Sequence, residues 1–312
     1  MAVLERLVGR LHELSVGFSV RRTLPQRSRR RLGPFVFWDE MGAATLSPGQ
    51  ALDVRPHPHI GLATLTYLFD GAIEHRDSLG HVSRIVPGHV NLMTSGRGIV
   101  HSERTPGDLR ATVHRLHGIQ AWLALPRALE EGEPGFHHCP VEALPTFDEG
   151  RVRGRVVAGD AYGLRAPVPV AMPTLYVDAH LDPGAELELP TGHDERGVYV
   201  VSGEVAVAGE TFGAGELAVL DPDERSASAG PQGAHVLLLG GAELDGDRLM
   251  FWNFVGSRRD LIDAAKRDWW QASATGFEQG RFRLPPGEQE HIPLPGEPPP
   301  GPPACTEEQP TT

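Results

Sequence analysis

Two short runs carry the residue types that hold metal ions. One is Arg55-Pro56-His57-Pro58-His59-Ile60-Gly61 and the other is Gly96-Arg97-Gly98-Ile99-Val100-His101-Ser102-Glu103. Each holds two potential ligands separated by one residue. Side chains alternate faces along an extended strand, so residues i and i+2 point to the same side. His57 and His59 therefore project together, as do His101 and Glu103. Two such strands side by side in one sheet would converge all four groups on one point. Three imidazoles and a carboxylate suit iron, nickel, manganese, copper or zinc, and residue types do not choose among these. Four ligands leave two adjacent positions of an octahedral ion open to substrate or dioxygen, as in non-haem iron oxygenases. A structural zinc site is closed and usually carries cysteine. This chain has only Cys139 and Cys305, neither near these runs.

Six histidines, His57, His59, His75, His81, His89 and His101, crowd into this one span. A lone histidine is usually a surface or satisfied core residue. The His-x-His answered by His-x-Glu is what carries the ligand assignment. His75 and His81 are read as pocket or supporting groups, His89 less so.

The elements that must position these residues are short strands. Phe35–Trp38 is strand-prone and followed by Asp39–Gly42 as a turn. Leu62–Phe69 is a strand ended by the hairpin signal Asp70-Gly71, and Ala72–Asp77, Ser83–Val86, Val90–Thr94 and Gly118–Pro126 follow. Residues 127–172 read as a connector with a few strands, Arg153–Gly159 among them. A second strand-rich block, with Leu175–Ala179, Gly197–Val207 and Gly215–Leu220, repeats the order of the first and reads as a weak internal repeat. Many short strands with regular turns indicate a sandwich or barrel, and 37 Gly and 28 Pro favour turns over long helices.

Two helices are expected. Leu4, Leu7, Val8, Leu11 and Leu14 fall at helical spacing and predict an amphipathic helix over residues 3–14. Ser257, with Asp260 three residues on, predicts the cap of a second helix carrying Leu261, Ile262, Ala264, Ala265 and Trp269. The division is then 1–18 an N-terminal helical extension, 19–135 a metal-binding domain, 136–172 a connector, 173–284 a second domain closed by a helix, and 285–312 a Pro-rich tail, largely disordered.

A net charge of −12 argues against a general nucleic-acid binder. The compact basic run Gln26–Arg31 reads as a solvated loop on an acidic protein. With two cysteines, no disulfide framework is indicated. Charged residues interrupt the apolar start of the chain, and no stretch is long enough to cross a bilayer, so a cytoplasmic location is expected.

The runs Arg55–Gly61, Tyr67–Gly71, His75–Gly80, Pro87-Gly88, Met93–Glu103, Leu116–Leu123 and Phe251–Val255 through Trp269 resemble the pirin family, over roughly residues 20–270. Pirins are similar to cupins, so the resemblance implies an all-β bicupin: two β-sandwich or jelly-roll domains with a C-terminal helix. It assigns Fe(II) to His57, His59, His101 and Glu103, the set selected by strand alternation. It also implies activity like a quercetin 2,3-dioxygenase, which opens a flavonol ring with dioxygen and releases carbon monoxide. Glu103 is then the candidate proton acceptor for the flavonol hydroxyl. A redox-dependent regulator binding a transcription factor or metabolic enzyme uses the same ligands. A cavity over the metal, large enough for a two-ring compound, would separate the enzyme from the regulator. Many pirins carry Glu at the fourth position after the second histidine of the His-x-His, where this chain has Ala63. In the second block His193, Glu195 and His235 form no comparable pair, so that domain is expected to be a metal-free scaffold.

Overall fold

The computed structural model describes residues 3–15 and 18–296. Its first half contains β1 (Val3–Val8), β2 (Arg10–Ser15), β3 (Phe18–Leu24), β4 (Phe35–Leu46), β5 (Asp53–His59), β6 (Leu62–Asp70), β7 (Ile73–Asp77), β8 (Val82–Ile85), β9 (Val90–Thr94), β10 (Ile99–Arg104), β11 (His114–Ala124) and β12 (Gly135–Cys139). There follow β13 (Thr146–Asp148), β14 (Val152–Ala161), β15 (Leu164–Arg165), β16 (Thr174–Leu181), β17 (Glu186–Glu188), β18 (Glu195–Val207), β19 (Glu210–Gly213), β20 (Glu216–Leu220), β21 (Ser226–Gly241), β22 (Leu249–Phe251), β23 (Phe254–Gly256) and α1 (Arg259–Ala274).

In the N-terminal half a seven-stranded sheet, β12-β9-β6-β11-β4-β3-β2, faces a four-stranded sheet, β5-β10-β7-β8. Val20, Met41, Leu68, Ile73, Ile85 and Leu116 are buried together between them. The C-terminal half is one large sheet, β1-β20-β18-β21-β16-β14-β13, with β15, β17 and β19 paired at its sides. The two halves repeat one plan. In each, a long strand lies between two others: β11 between β6 and β4, and β21 between β18 and β16. These triplets pack back to back through one apolar core, where Trp38 meets Tyr176 at 5.3 Å and Tyr199 at 5.6 Å in edge-to-face contacts. The weak repeat in the sequence is thus a repeat of architecture.

Polar groups in this shared core are paired across the halves in the same way twice. Tyr199 donates to Glu40 at 2.8 Å while His117 Nε2 lies 2.9 Å from the other oxygen of that carboxylate. Tyr67 donates to Asp178 at 2.7 Å while His235 Nε2 lies 2.7 Å from its second oxygen. Burial alone would raise the Asp178 carboxyl, but the bonds from His235 and Tyr67 outweigh it and hold it below its ordinary value.

Three expectations are corrected. Residues 3–15 are strands, not a helix, and they straddle the molecule: β1 pairs with β20 of the C-terminal half and β2 with β3 of the N-terminal half. Of the described side chains of the expected apolar stripe, Leu7 is a core residue and Leu4, Val8 and Leu11 are exposed, so pairing with distant strands outweighed a local helical pattern. Asp39–Gly42 is not a turn but the middle of β4, paired on both sides. Gly42, at φ +87°, supplies the local kink, because a Cβ there would sit 2.1 Å from the Leu116 carbonyl oxygen. Ser257 does not cap α1: the N-cap is Arg258 without a side-chain bond, and Ser257 instead bonds Glu130.

The expected disorder from Pro285 onward is also revised as far as residue 296. Ile292 N donates to Pro56 O at 2.8 Å, and Glu288 takes bonds from Ser102 at 2.7 Å and from Arg104. This segment straps the two strands that carry the ligand motifs. Residues 297–312, with Cys305, lie outside the described residues. The helix and the β22–β23 hairpin pack on the N-terminal half, where Trp269, Phe254 and Phe282 share a cluster with Ile60 and Val100.

Candidate metal centre

Strands β5 and β10 are antiparallel neighbours, and their register sets His57 directly opposite His101 and His59 opposite Ile99. The rings of His57, His59 and His101 converge, with centroids 4.4 to 4.9 Å apart. Each offers a nitrogen within 4.8 Å of the others. The turn after His59 is set by Gly61, at φ +68°, where a Cβ would meet the Val255 carbonyl oxygen at 2.1 Å. That close approach is what brings the β22–β23 hairpin over the site.

The hydrogen bonds determine which nitrogens are free. His57 Nδ1 lies 2.9 Å from the Arg55 carbonyl oxygen, which can only accept, so Nδ1 carries the hydrogen and Nε2 is bare. A longer chain orients His101. Asp77, fully buried, lies 3.2 Å from His75 Nε2, and His75 Nδ1 lies 3.3 Å from His101 Nδ1; in the tautomer that leaves His75 Nδ1 bare, it accepts from His101 Nδ1. His101 Nε2 is then also bare. It faces His59 Nε2 at 3.1 Å. Two nitrogens about 2.1 Å from one ion in adjacent positions are about 3 Å apart, so the imidazoles have the spacing, the lone pairs and the supporting bonds that a divalent ion needs.

Electrostatics keep these rings neutral. Burial pushes His57 down to about 4, partly countered by its bond to the Arg55 carbonyl. Burial, then the neighbouring imidazoles, put His59 and His101 well below the ordinary histidine value. For Asp77 burial acts upward, but the bonds from His75 and His81 prevail and its carboxyl is lowered.

Glu103 lies on the same strand, beyond a bulge between His101 and Glu103, and does not join the compact three-imidazole cluster. Its carboxylate is held by Gln120 Nε2 at 2.7 and 2.8 Å and by the Thr66 hydroxyl at 3.4 Å. Burial raises its carboxyl above the ordinary value, with Gln120 opposing. His57 and Glu103 together line a cavity of about 620 Å³ that also has Gln120, Trp122, Phe37 and Trp252 on its walls. Its outer residues Arg10, His12 and Arg27 are exposed, so it opens to solvent.

The other sequence candidates separate clearly. His75 and His81 belong to the Asp77 chain, with His81 on its exposed side. His89 instead meets His138 at 3.2 Å. Ala63 faces the apolar core shared by the halves, while Thr64 and Thr66 alternate to the other face, so position 63 does not adjoin the imidazoles. In the C-terminal half His193 contacts the Asp160 carbonyl and Glu195 pairs with Arg31. Asp178, His180 and His235 do cluster, with Asp178 already bonded to Tyr67 and His235 at the joint between the halves. Gln120 and Asp77 were missed from the sequence. Gln120 is the single polar side chain in the run Gly118–Pro126, and Asp77 stands two residues from His75, so both left a signal.

Two stacked sandwich halves, with an interior imidazole cluster in one of them, define a bicupin with a metal-type site. The comparisons with known proteins narrow the class. The Pirin family matches residues 17–123 and the Pirin C-terminal cupin domain matches residues 176–275. A pirin-like protein of Caulobacter vibrioides is 45% identical, over 89% of this chain and 94% of its own. A Pseudomonas aeruginosa protein named as a candidate quercetin 2,3-dioxygenase is 39% identical, over 91% of this chain and 90% of its own. The solved structure of a quercetin 2,3-dioxygenase from Acinetobacter baumannii superposes with a TM-score of 0.85 at 31% identity, covering 95% of this chain and 96% of that one. The chain belongs to the pirin family. No helix of the described residues is long and apolar enough to cross a membrane.

Proposed function

We propose that the protein is a metal-dependent dioxygenase that opens the ring of flavonol-type or related phenolic compounds, with His57, His59, His101 and Glu103 as ligands and Fe(II) as the ion. The observation that carries this reading is the cavity: about 620 Å³, aromatic-walled, and reaching His57 and Glu103 from solvent. That is space for a two-ring compound beside the ligand set, and a regulator with a closed site would not need it. The 39% identical relative named as a candidate quercetin 2,3-dioxygenase supports the same chemistry. When bound, the ion would supply a Lewis-acid and redox centre with open positions for substrate and dioxygen.

The protein's own groups have definite tasks in this reading. His57 and His101 present bare Nε2 atoms because Arg55 O and the His75–Asp77 chain hold their other nitrogens. Phe37 and Trp122, stacked at 4.0 Å, form a flat wall that orients a planar ring. Glu103 accepts the proton of the substrate hydroxyl. Burial raises its basicity toward that task and Gln120 keeps it aimed. Water is limited by the hairpin bearing Trp252, whose φ of +53° is an uncommon backbone conformation for a bulky residue.

The test is to supply Fe(II)-loaded protein with quercetin, admit oxygen and follow carbon monoxide. Release by the wild type that is lost in His101→Ala supports the reading. Metal-loaded protein that produces none, or His101→Ala that produces as much, overturns it.

A further inference from the structure

The basic run Gln26–Arg31 divides once folded. Arg29 pairs with Glu5 and Glu195, and Arg31 with Glu195 and Glu243. Arg27 pairs with no acidic group among the described residues and lines the mouth of the metal-side cavity. Arg10, from β2 on the opposite stretch of chain, reaches the same mouth, is exposed, and likewise has no acidic partner among the described residues. His12 lies beside them. The third arginine of the lining, Arg22, is neutralised by a two-pronged pair with Asp39 at 2.8 and 2.9 Å and lies over Phe37 at 4.3 Å. Arg10 and Arg27 therefore set the sign of the entrance, on a protein whose net charge is −12.

The order of groups along the cavity describes its ligand. At the deep end are His57, Glu103 and Gln120; then comes the flat Phe37–Trp122 wall; at the mouth stand two free guanidiniums. We infer that the cavity takes a planar aromatic compound bearing a carboxylate or comparable anion at the end away from the metal, with Arg10 and Arg27 as the residues that select it. This rests on the dioxygenase reading for what happens at the deep end, but the charge selection stands on the mouth alone. Guanidinium groups bind carboxylates through charge-assisted, often two-pronged bonds. In a cleft with low-dielectric walls they also draw anions inward from bulk, while the acidic remainder of the surface repels them. Arg10 and Arg27 are specificity residues; neither touches the reacting end.

The experiment compares 3-hydroxyflavone with its 4′-carboxylate, titrated without oxygen into the metal-loaded protein, wild type and Arg10→Gln/Arg27→Gln. Both side chains are exposed, so the double variant should keep the wild-type thermal midpoint and metal content. The expected result is about tenfold tighter binding of the carboxylate by wild type at low salt. That preference should shrink toward parity in 0.5 M salt or in the double variant, with affinity for 3-hydroxyflavone unchanged. Equal affinities in wild type, or a preference that survives in the double variant, would overturn the inference; in the latter case the anion binds at the metal. If neither flavonol binds, the flavonol reading fails. Naphthalene-2-carboxylate then decides the mouth: it must bind wild type more tightly than the double variant, and equal binding sinks the proposal.

Discussion

The two halves share a strand plan and differ in what they turn inward. In the N-terminal half the β5–β10 ladder points His57, His59 and His101 into the sandwich. In the C-terminal half the corresponding position is held by β17 and the start of β21, and the buried side chains there are Leu187, Leu189, Ala227 and Ala229. Where His75 and Asp77 stand on β7 beside His101, the strand paired with the start of β21 carries the buried Val205 and Val207. Buried polar atoms must each be paired, whereas apolar packing needs only shape. The N-terminal half therefore carries a train of supporting bonds through Arg55, His75, Asp77, Gln120 and Thr66. The C-terminal half is apolar at the matching position, and its buried Asp178 is paired instead at the joint between the halves, by Tyr67 and His235.

The largest effect expected from breaking this difference is at His101. In His101→Ala the metal content should fall from about one per chain to under a tenth, and flavonol turnover should drop more than 100-fold. Elemental analysis of the purified variant checks the first, and retention of stoichiometric metal would show that the ladder does not hold the ion.

Acid should also separate the halves. The folded His57 value of about 4 lies below the 6.5 of an unperturbed ring. Between those values the unfolded chain takes up a proton that the folded chain refuses. The contribution is complete above about pH 6.5 and is lost as pH falls, at about 1.4 kcal/mol per pH unit for this ring. His59 and His101, lowered further, steepen the fall. Thermal midpoints of metal-free protein should drop steadily from pH 6.5 to 4, and a flat profile would contradict neutral burial of the cluster.

Leu187→Ala tests the other side. Loss of a buried leucine should cost about 2–5 kcal/mol of stability, read by denaturant titration, while metal per chain stays at the wild-type value. The smallest effects belong to the joint. Tyr67→Phe and Tyr199→Phe each remove one hydrogen bond to a buried carboxylate and should cost about 1–3 kcal/mol apiece. Because the two bonds are separate and repeat one arrangement, the costs should add in the double variant. Strong non-additivity would mean that the halves are not joined by two independent contacts.

Much of the metal-side half was legible because its signals are local. Alternation along one strand is enough to pair His57 with His59, and Asp70-Gly71 marks the end of β6, although β6 and β7 enter different sheets and do not pair as the expected hairpin. The repeat was visible for the same reason, in the recurrence of glycine turns and apolar strands. Long-range pairing was not legible. The Leu4–Leu14 pattern has helical spacing, yet β1 lies against β20 and β2 against β3, partners that no local pattern names. Asp39 and Glu40 looked like turn residues because buried acids are rare; their partners Arg22, Tyr199 and His117 come from three other strands. The tail looked solvated for lack of apolar residues, but it docks through Glu288 and Ile292. Glu103 was placed with the histidines by alternation and by the family resemblance; neither signal shows the bulge in the β5–β10 ladder beside it, nor Gln120 of β11, whose amide holds its carboxylate.

The central claim is that a flavonol binds at the imidazole cluster of the N-terminal half. Its most direct test is an anaerobic titration of quercetin into Fe(II)-loaded protein, followed by the flavonol absorbance band. The account predicts a red shift saturating at one quercetin per chain, absent from His57→Ala and unchanged in Leu187→Ala. A band that does not move in wild type, or that shifts equally in His57→Ala, would contradict it.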